Sequence, residues 1–504
     1  MSRPGAGQRG YVVALDVGSS SVRAILYDLQ ARPVRGAEVH LPYRPRIGAA
    51  GMAEVDADTL AALVGRGLAR LLRLTGPRRA ESIVGVGVST FWHGLLAADD
   101  SARALTPIYL WSDTRSAEAS ERLAGRLDSE QVRLRTGCPI HPSYWPAKLA
   151  WLRRERSDLW KRPAHWLSFG DLLYWRWFGR LGTSLSMASA TGLFRLLDCR
   201  WDDELLTELQ VSVESLPPIA DVEQNSAPRY RHLWPALADV PWLHAIGDGA
   251  AANLGSGCLT PAQRAISIGT SGAMRVVHSA APTTIPSGLW SYRLDAKRFV
   301  TGGALSNGGN LREWLLGTLR VSDKKVETLL QRTLAGAHGL TFMPHLAGER
   351  GLGYAPRAFG AIVGLVASTT PEEIAAAGLV AVAVEFARVD RRMDELLPRA
   401  KVLVASGAAL LNSPAWMQAM ADATGRRVAP SKAVEASSRG AALFAIEWLG
   451  LGKPARLDPG IGRPLRPRPA YSRAYRDIEG RQEALYRALI TDRRKVGNSQ
   501  PLDR

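Results

Sequence analysis

The sequence predicts an α/β protein built from two duplicated halves, and three observations carry that expectation. A strand–turn–strand unit occurs twice. Its first copy is Tyr11-Val-Val-Ala-Leu15, Asp16-Val-Gly-Ser-Ser-Ser21 and Val22-Arg-Ala-Ile-Leu-Tyr27; its second is Ala265-Ile-Ser-Ile268, Gly269-Thr-Ser-Gly272 and Ala273-Met-Arg-Val-Val277. The turn glycines Gly18 and Gly269 lie 251 residues apart, about half of the 504-residue chain, which is the mark of an internal repeat. Through both halves, apolar runs of strand length alternate with stretches of helical period, the grammar of an α/β fold.

Each element has a local reason. Asp58 or Thr59 can cap a helix running to Leu74, where Gly76-Pro77 ends it, and Ser82–Val88 follows as a buried strand. In the second half Thr370 caps a helix that carries Pro371 at its first position and Glu372 and Glu373 at the positive end of the dipole, and that continues to Leu397. Val402–Ala405 reads as a short strand, and Ser413-Pro414 opens a helix that stops at Gly425. These signals predict a first domain over residues 10–250, a second over 256–450, and a C-terminal segment over 451–504. Within that segment Gly450–Pro469 reads as a Pro/Gly/Arg-rich connector, Asp477–Ile490 as a helix, and Thr491–Arg504 as a frayed tail.

Composition bounds the function. With 46% hydrophobic and 22% charged residues the chain can bury sizeable cores, so a mainly disordered, collagen-like or disulfide-stapled protein is excluded. The formal net charge of +17 first suggests nucleic acid or an anionic membrane as partner. Only nine of the 64 basic residues are lysines, however, and residues 451–504 hold 13 Lys/Arg against 6 Asp/Glu, so much of the surplus sits in one segment. Nucleic acid is therefore not the expected partner. Cys138, Cys199 and Cys258 form no CxxC pair, which argues against a zinc knuckle or redox dithiol. Met1–Gly10 is polar, and the longest apolar stretch, Ala375–Ala387, is shorter than the ~18 residues of a membrane span and is interrupted by Glu385. The expectation is a cytosolic protein that does not enter the membrane.

Gly/Ser/Thr turns between strands present several backbone amides to a concave surface, which suits phosphate oxygens, although tight hairpins need small residues for their own sake. GxxxxGK[ST] does not occur, and there is no GxGxxG dinucleotide fingerprint that follows a strand and opens a helix. Asp16 closes the first strand, where a carboxylate can share a Mg²⁺ with phosphate oxygens or bond its own turn amides. Asp248 lies in Ile246-Gly-Asp-Gly249, between glycines that let backbone approach a ligand closely or simply make a turn.

Asp16-Val-Gly-Ser-Ser-Ser-Val-Arg23, Gly247-Asp-Gly249, Gly269-Thr-Ser-Gly272 and Ser406-Gly-Ala-Ala-Leu-Leu-Asn412 resemble, in order and spacing, the motifs of the FGGY carbohydrate kinases, and the resemblance runs from Tyr11 to Leu449. It implies two ribonuclease-H-like, actin-like domains around a catalytic cleft, with ATP and Mg²⁺ as cofactors and a small sugar or sugar acid as substrate. Carried over by residue, it implies Asp248 as the general base and Asp16 as the residue that positions Mg²⁺. Gly18, Ser19, Ser20 and Arg23 would lie beside the transferring phosphate. Gly269, Thr270 and Ser271 would hold the nucleotide phosphates, and Gly407, Ala408 and Asn412 would lie along the adenosine. Ala408 stands where the family usually has a second glycine.

For the substrate, Ser89-Thr-Phe-Trp-His-Gly94 and Leu110-Trp-Ser-Asp-Thr-Arg115 follow apolar runs and are expected at strand ends over the cleft. His93 and Asp113 can exchange hydrogen bonds with hydroxyls, Trp92 or Trp111 can stack on the carbon chain, and Arg115 can either pair with a sugar-acid carboxylate or form a structural salt bridge. Arg135–Pro142, Met187–Phe194, Asp248–Gly255 and Asn307-Gly-Gly309 resemble the gluconate kinases of the family, although Phe91-Trp92 replaces their usual small residue and Met before the His. A pentulose kinase of the xylulose type and an actin-like ATPase without sugar transfer are the alternatives. No motif speaks to oligomeric state, for which a homodimer is one candidate.

Overall fold

The computed structural model describes residues 10–160, 165–223, 228–332 and 336–492. Most of the predicted frayed tail therefore lies outside the described residues. The N-terminal half is organised on one twisted sheet: β1 (Tyr11–Val17), β2 (Ser21–Asp28), β3 (Pro33–Pro42), β4 (Ile83–Thr90), β5 (Val222–Glu223), β6 (Trp242–Leu243) and β7 (Ile246–Gly247), in the order β5-β6-β4-β1-β2-β3 with β7 also on β4. The C-terminal half repeats the plan with β8 (Gln263–Ile268), β9 (Gly272–His278), β10 (Trp290–Arg293), β11 (Phe299–Leu305), β12 (Val402–Ser406) and β13 (Arg427–Pro430), in the order β10-β11-β9-β8-β12-β13.

The duplication extends to strand sense. β1 is antiparallel to β2 and parallel to β4, and β2 is antiparallel to β3; β8 is antiparallel to β9 and parallel to β12, and β9 is antiparallel to β11. This is the ribonuclease-H-like, actin-like arrangement that the sequence leads one to expect. The central strands are buried on both faces, which is why they read as unbroken apolar runs rather than alternating ones.

Helices cover both sheets. α1 (Ala57–Thr75) starts two residues earlier than predicted, because the Asp56 carboxylate accepts the Thr59 amide at 2.8 Å and so takes the cap. α2 (Trp145–Glu155) packs under the N-terminal cleft wall, and α3 (Asp248–Gly255) leads out of β7. Then come α4 (Gly309–Leu319) and α5 (Pro371–Asp394), the latter opened by the Thr370/Glu373 capping box and ended three residues before Leu397. α6 (Pro414–Thr424), capped by Ser413 and stopped at Gly425, precedes α7 (Ala436–Trp448) and α8 (Ser472–Tyr486). Among the described residues no helix is long and apolar enough to cross a membrane.

The segment after residue 450 is more than a connector. Val428 and Leu465 exchange backbone hydrogen bonds at 3.0 and 2.8 Å, so the Pro/Gly/Arg-rich stretch lies along the outer strand β13 and covers a sheet edge that would otherwise be unpaired. α8 then buries Tyr475, Ile478 and Gln482 against the C-terminal core. Its arginine-rich approach is matched in charge: Arg468 pairs with the buried Asp422 at 2.6 Å. Part of the basic surplus is thus internal ion pairing.

The two halves meet where α3 crosses α7. A Cβ at Gly440 would overlap the Ala251 carbonyl, and one at Gly255 would overlap the Ala436 carbonyl. The helices therefore touch backbone to backbone, which only residues without a side chain allow. Gly317, on α4, has nothing near its missing Cβ. Gly440→Ala should destabilise the protein by ~1–3 kcal/mol through overpacking, whereas Gly317→Ala should stabilise it by ~1 kcal/mol through helix propensity alone. Chemical denaturation of the two variants checks the pair of signs.

Candidate active site

The carboxyl ends of β1, β4 and β7 lie side by side. Asp16 is opposite Ser89 and Val17 opposite Thr90 in the parallel β1–β4 register, while Ile246 and Gly247 are opposite Ser89 and Thr90. That register brings Asp16, at the end of β1, and Asp248, at the start of α3, to one floor although 232 positions separate them in the chain. Ligand sites in open α/β sheets form at such strand ends.

Asp16 is 2% exposed. Its carboxylate accepts the Ser89 hydroxyl at 2.5 Å and the Ser438 hydroxyl of α7 at 3.3 Å, and the Arg23 guanidinium lies 3.7 Å away. Burial pushes its carboxyl up to about 6, against the pull of Ser89 and Arg23 and with a push from Asp248 and Glu435. Arg23 also pairs with Glu435 at 2.7 Å. Three carboxylates thus share one neighbourhood with Arg23 as the counter-charge. Among the described residues no His/Cys/Asp/Glu group builds a cage around a metal. A sparse carboxylate set of this kind suits Mg²⁺, which binds through one or two carboxylates and keeps waters or phosphate oxygens as its other ligands.

Asp248 is partly exposed at the cleft floor. It accepts the Gly249 amide at 2.7 Å. Burial raises its carboxyl above the ordinary carboxylate range, opposed by Arg275, by the amides of Gly249 and Trp92, and by Arg350. The flanking glycines have a definite reason. A Cβ on Gly247 would overlap the Trp92 indole, and one on Gly249 would overlap the same ring and crowd Arg275.

The indole of Trp92 is therefore the wall behind Asp248. It is 5% exposed, donates from Nε1 to the Ser186 carbonyl at 3.1 Å, and stands edge-on to Tyr292 and Trp290 of the other half at 5.0 and 6.0 Å. This corrects the expectation that Trp92 offers an open face for stacking on a carbon chain: its face is occupied by the Gly-Asp-Gly backbone.

His93 adopts a left-handed φ of 65°, held by the buried Lys148 of α2, whose ammonium donates to the His93 carbonyl at 3.0 Å and to the Ser143 carbonyl at 2.7 Å. Burial pulls that ammonium down to about 7. The His93 ring faces the Ala190 carbonyl at 2.7 Å through Nδ1, so Nδ1 carries the proton and Nε2 is left as an acceptor. Burial holds the ring neutral, with Arg350 adding to the effect.

Asp113 and Arg115 belong to a closed network. Arg115 donates to Asp113 at 2.6 Å and to Glu54 at 2.6 Å, and its guanidinium covers Trp151 and Tyr109 at 4.7 and 5.4 Å. Asp113 also accepts the Ala53 and Arg115 amides. Of the two uses the sequence leaves open for Arg115, the structure shows the salt bridge: its Nε and Nη2 are engaged by Asp113 and Glu54, and both Asp113 carboxylate oxygens accept hydrogen bonds within the protein. Trp111 is half-buried and has the Arg350 guanidinium 4.8 Å from its ring centre.

Across the cleft the second hairpin mirrors the first. Gly18 donates to Ser21 at 3.0 Å and Gly269 to Ser271 at 3.1 Å. Ser20, Gly269 and Thr270 are exposed, with Gly18, Ser19 and Ser271 half-buried beside them. The amides of Gly309 and Asn310 at the start of α4 donate to Gly269 and Thr270 and fix the hairpin from below. Gly407, with φ of 85°, presses on the Ile268 carbonyl where a Cβ would overlap. Ala408 and Asn412 are exposed next to it, so the Ala408 methyl meets no protein atom that it would displace.

Sequence reasoning missed Arg275, Arg350, Lys148, Glu435 and Ser438. Arg275 carried a signal, since a cation inside the apolar strand Gly272–His278 requires a partner or a ligand. Arg350 and Glu435 lie in loops with no periodic pattern, and Ser438 is one of several small residues on α7.

Two family models match the chain: the N-terminal domain of the FGGY family of carbohydrate kinases over residues 11–255 and its C-terminal domain over residues 264–447. A gluconokinase of Bacillus subtilis (strain 168) is 27% identical over 456 residues, covering 87% of this chain and 88% of its own. The crystal structure of gluconate kinase from Lactobacillus acidophilus superimposes with a TM-score of 0.86 at 24% identity, over 96% of this chain and 98% of that one. The xylulose kinase of the same organism does so with a TM-score of 0.88 at 23% identity, over 97% and 100%. With both family models matched in order across paired hairpins and a shared cleft, the chain belongs to the FGGY family of carbohydrate kinases.

Proposed function

We propose that this kinase transfers the γ-phosphoryl group of ATP to a hydroxyl of a sugar acid, D-gluconate to 6-phosphogluconate, in the cytoplasm. The observation that carries the choice of acceptor is the likeness to gluconokinases over nearly the full length. Asp248 is the general base: its raised pKa and position at the cleft floor suit removal of the hydroxyl proton as the oxygen attacks. Asp16, buried on Ser89 and Ser438, would hold Mg²⁺, which when bound would supply positive charge beside the transferring phosphoryl group. Gly18, Ser19 and Ser20, with Arg23, face that group. Gly269, Thr270 and Ser271 take the nucleotide phosphates, and Gly407, Ala408 and Asn412 flank the adenosine. Neutral His93 accepts a sugar hydroxyl at Nε2. Trp92 acts by fixing Asp248 rather than by touching sugar.

A pentulose is the second acceptor to test, supported by the equally good superposition on a xylulose kinase. ADP release should be measured with gluconate, other aldonates, ketopentoses and polyols. Gluconate should be turned over most efficiently. Turnover of xylulose with gluconate silent would reject the acceptor and keep the kinase, whereas ADP release independent of any sugar would favour an ATPase.

Asp248→Asn should keep ATP binding and reduce sugar phosphorylation by ~10²–10⁴-fold, the usual contribution of a positioned base. Near-normal turnover would remove Asp248 from the mechanism. In the wild type the base works only when ionised. Because burial raises its pKa, the protonated and inactive form persists to higher pH than for an ordinary aspartate near ~3.9. The acid limb of a kcat/KM profile should accordingly lie above that value and vanish with what remains of activity in Asp248→Asn.

A further inference from the structure

Two cations reach the cleft from the C-terminal half and no ion pair among the described residues neutralises them. Arg275 projects from β9, with its guanidinium against Gly249, next to the base. Arg350 follows β11 in space: its amide donates to the Ser306 hydroxyl at 2.9 Å, and its guanidinium crosses the cleft to cover Trp111 of the N-terminal half at 4.8 Å. The Nε of each is buried without a hydrogen-bond partner. Neighbouring acids do not serve them. Glu349, beside Arg350 in the chain, accepts the Gly353 amide at 2.6 Å and the Tyr486 hydroxyl at 2.5 Å, and Asp113 is saturated by Arg115. The carboxylate that acts on Arg275 through space is that of Asp248.

The two guanidinium groups are also close enough for Arg350 to act against the charge of Arg275, which burial opposes as well. Burying unmatched like charges is costly, and the usual remedy is an anion placed between them. Beside them, His93 and His141 are both held uncharged by burial and by Arg350, and Tyr144 and Tyr292 are joined at 2.6 Å through their hydroxyls.

We propose that Arg275 and Arg350 together bind the carboxylate of the sugar-acid acceptor, so that preference for an acid over a neutral sugar is written in the C-terminal half and not in Arg115. The assignment rests on the sugar-acid reading above. It follows from geometry: a guanidinium offers planar paired donors that match a carboxylate, Trp111 backs the Arg350 plane, and Gly249 leaves the space that Arg275 fills. Because Arg350 spans the cleft, a carboxylate held there also ties the two halves together around the acceptor. The Tyr486–Glu349 contact makes α8 a support for the loop that carries Arg350, which gives the C-terminal segment a part in the site.

The test is calorimetric binding of D-gluconate and of its neutral counterpart D-gluconamide, without nucleotide, to the full-length wild type and to Arg275→Gln, Arg350→Gln and the double variant. Wild type should favour the anion by roughly 10–100-fold, as charge-assisted hydrogen bonds do. Each single variant should lose part of that ratio, and the double variant should bind the two ligands alike. Arg350→Lys should restore part of the preference, and thermal melts verify that each variant is folded. A ratio kept in the double variant overturns the proposal, as does a variant set that weakens ADP binding while the gluconate-to-gluconamide ratio stays as in wild type, which would assign the pair to the nucleotide phosphates. If the wild type neither binds nor turns over any aldonate, the sugar-acid reading itself fails; if it phosphorylates gluconate and the ratio survives the substitutions, only the arginine assignment falls.

Discussion

The backbone contact between α3 and α7 is the constraint on which the rest of the molecule depends. Gly255 lies on the Ala436 carbonyl and Gly440 on the Ala251 carbonyl, while Gly87 of β4 takes the Ala441 carbonyl. No side chain separates these elements, so the two halves are fixed at the crossing while their outer parts flank a cleft. The same crossing delivers chemistry from both sides. The first residue of α3 is Asp248, and α7 supplies Ser438 to Asp16 and Arg439 to the Ala31 and Gly255 carbonyls at 3.2 and 2.6 Å. A crossing made of glycine and alanine thereby sets the distance between Asp248 on one helix and the buried Asp16 carboxylate tied to the other.

Around that crossing, desolvation does the electrostatic work. Asp16 and Asp248 are both driven toward protonation by burial and restrained by arginines and amides. Phosphoryl transfer asks a protein mainly for positioning and for neutralising charge. The floor gathers Asp16, Asp248 and Glu435 around Arg23, and the other half brings Arg275 and Arg350, whose buried Nε atoms have no hydrogen-bond partner. The closed network of Glu54, Asp113 and Arg115 is the contrasting case, in which opposite charges already satisfy each other and hold a wall in place.

Much of this was legible beforehand. The paired hairpins announced duplicated domains because a strand, a small-residue turn and a returning strand are encoded within about fifteen residues. Thr370-Pro371 with Glu373, Ser413-Pro414 and Gly425 marked helix ends because caps are local hydrogen bonds. Asp248 stood out because two glycines surround it. The sequence leaves Trp92 or Trp111 as a stacking platform because the identity of an aromatic after a strand says nothing about what covers its face; for Trp92 the covering atoms are those of Gly247 and Gly249, more than 150 positions on. The stretch after Gly450 read as a connector because edge pairing with β13 leaves no periodic trace.

What the sequence by itself determined is therefore the set of local conformations: which strands, which turns, which helix starts, Asp16 at the end of a strand and Asp248 between two glycines. Tertiary structure alone decided which charges are satisfied. Arg115 found Glu54 at a separation of 61 residues, while the buried Nε of Arg275 and of Arg350 found no hydrogen-bond partner. Backbone preferences act over a few neighbouring residues, whereas Coulomb forces and desolvation depend on distance in space, and that distance exists only once the chain has folded.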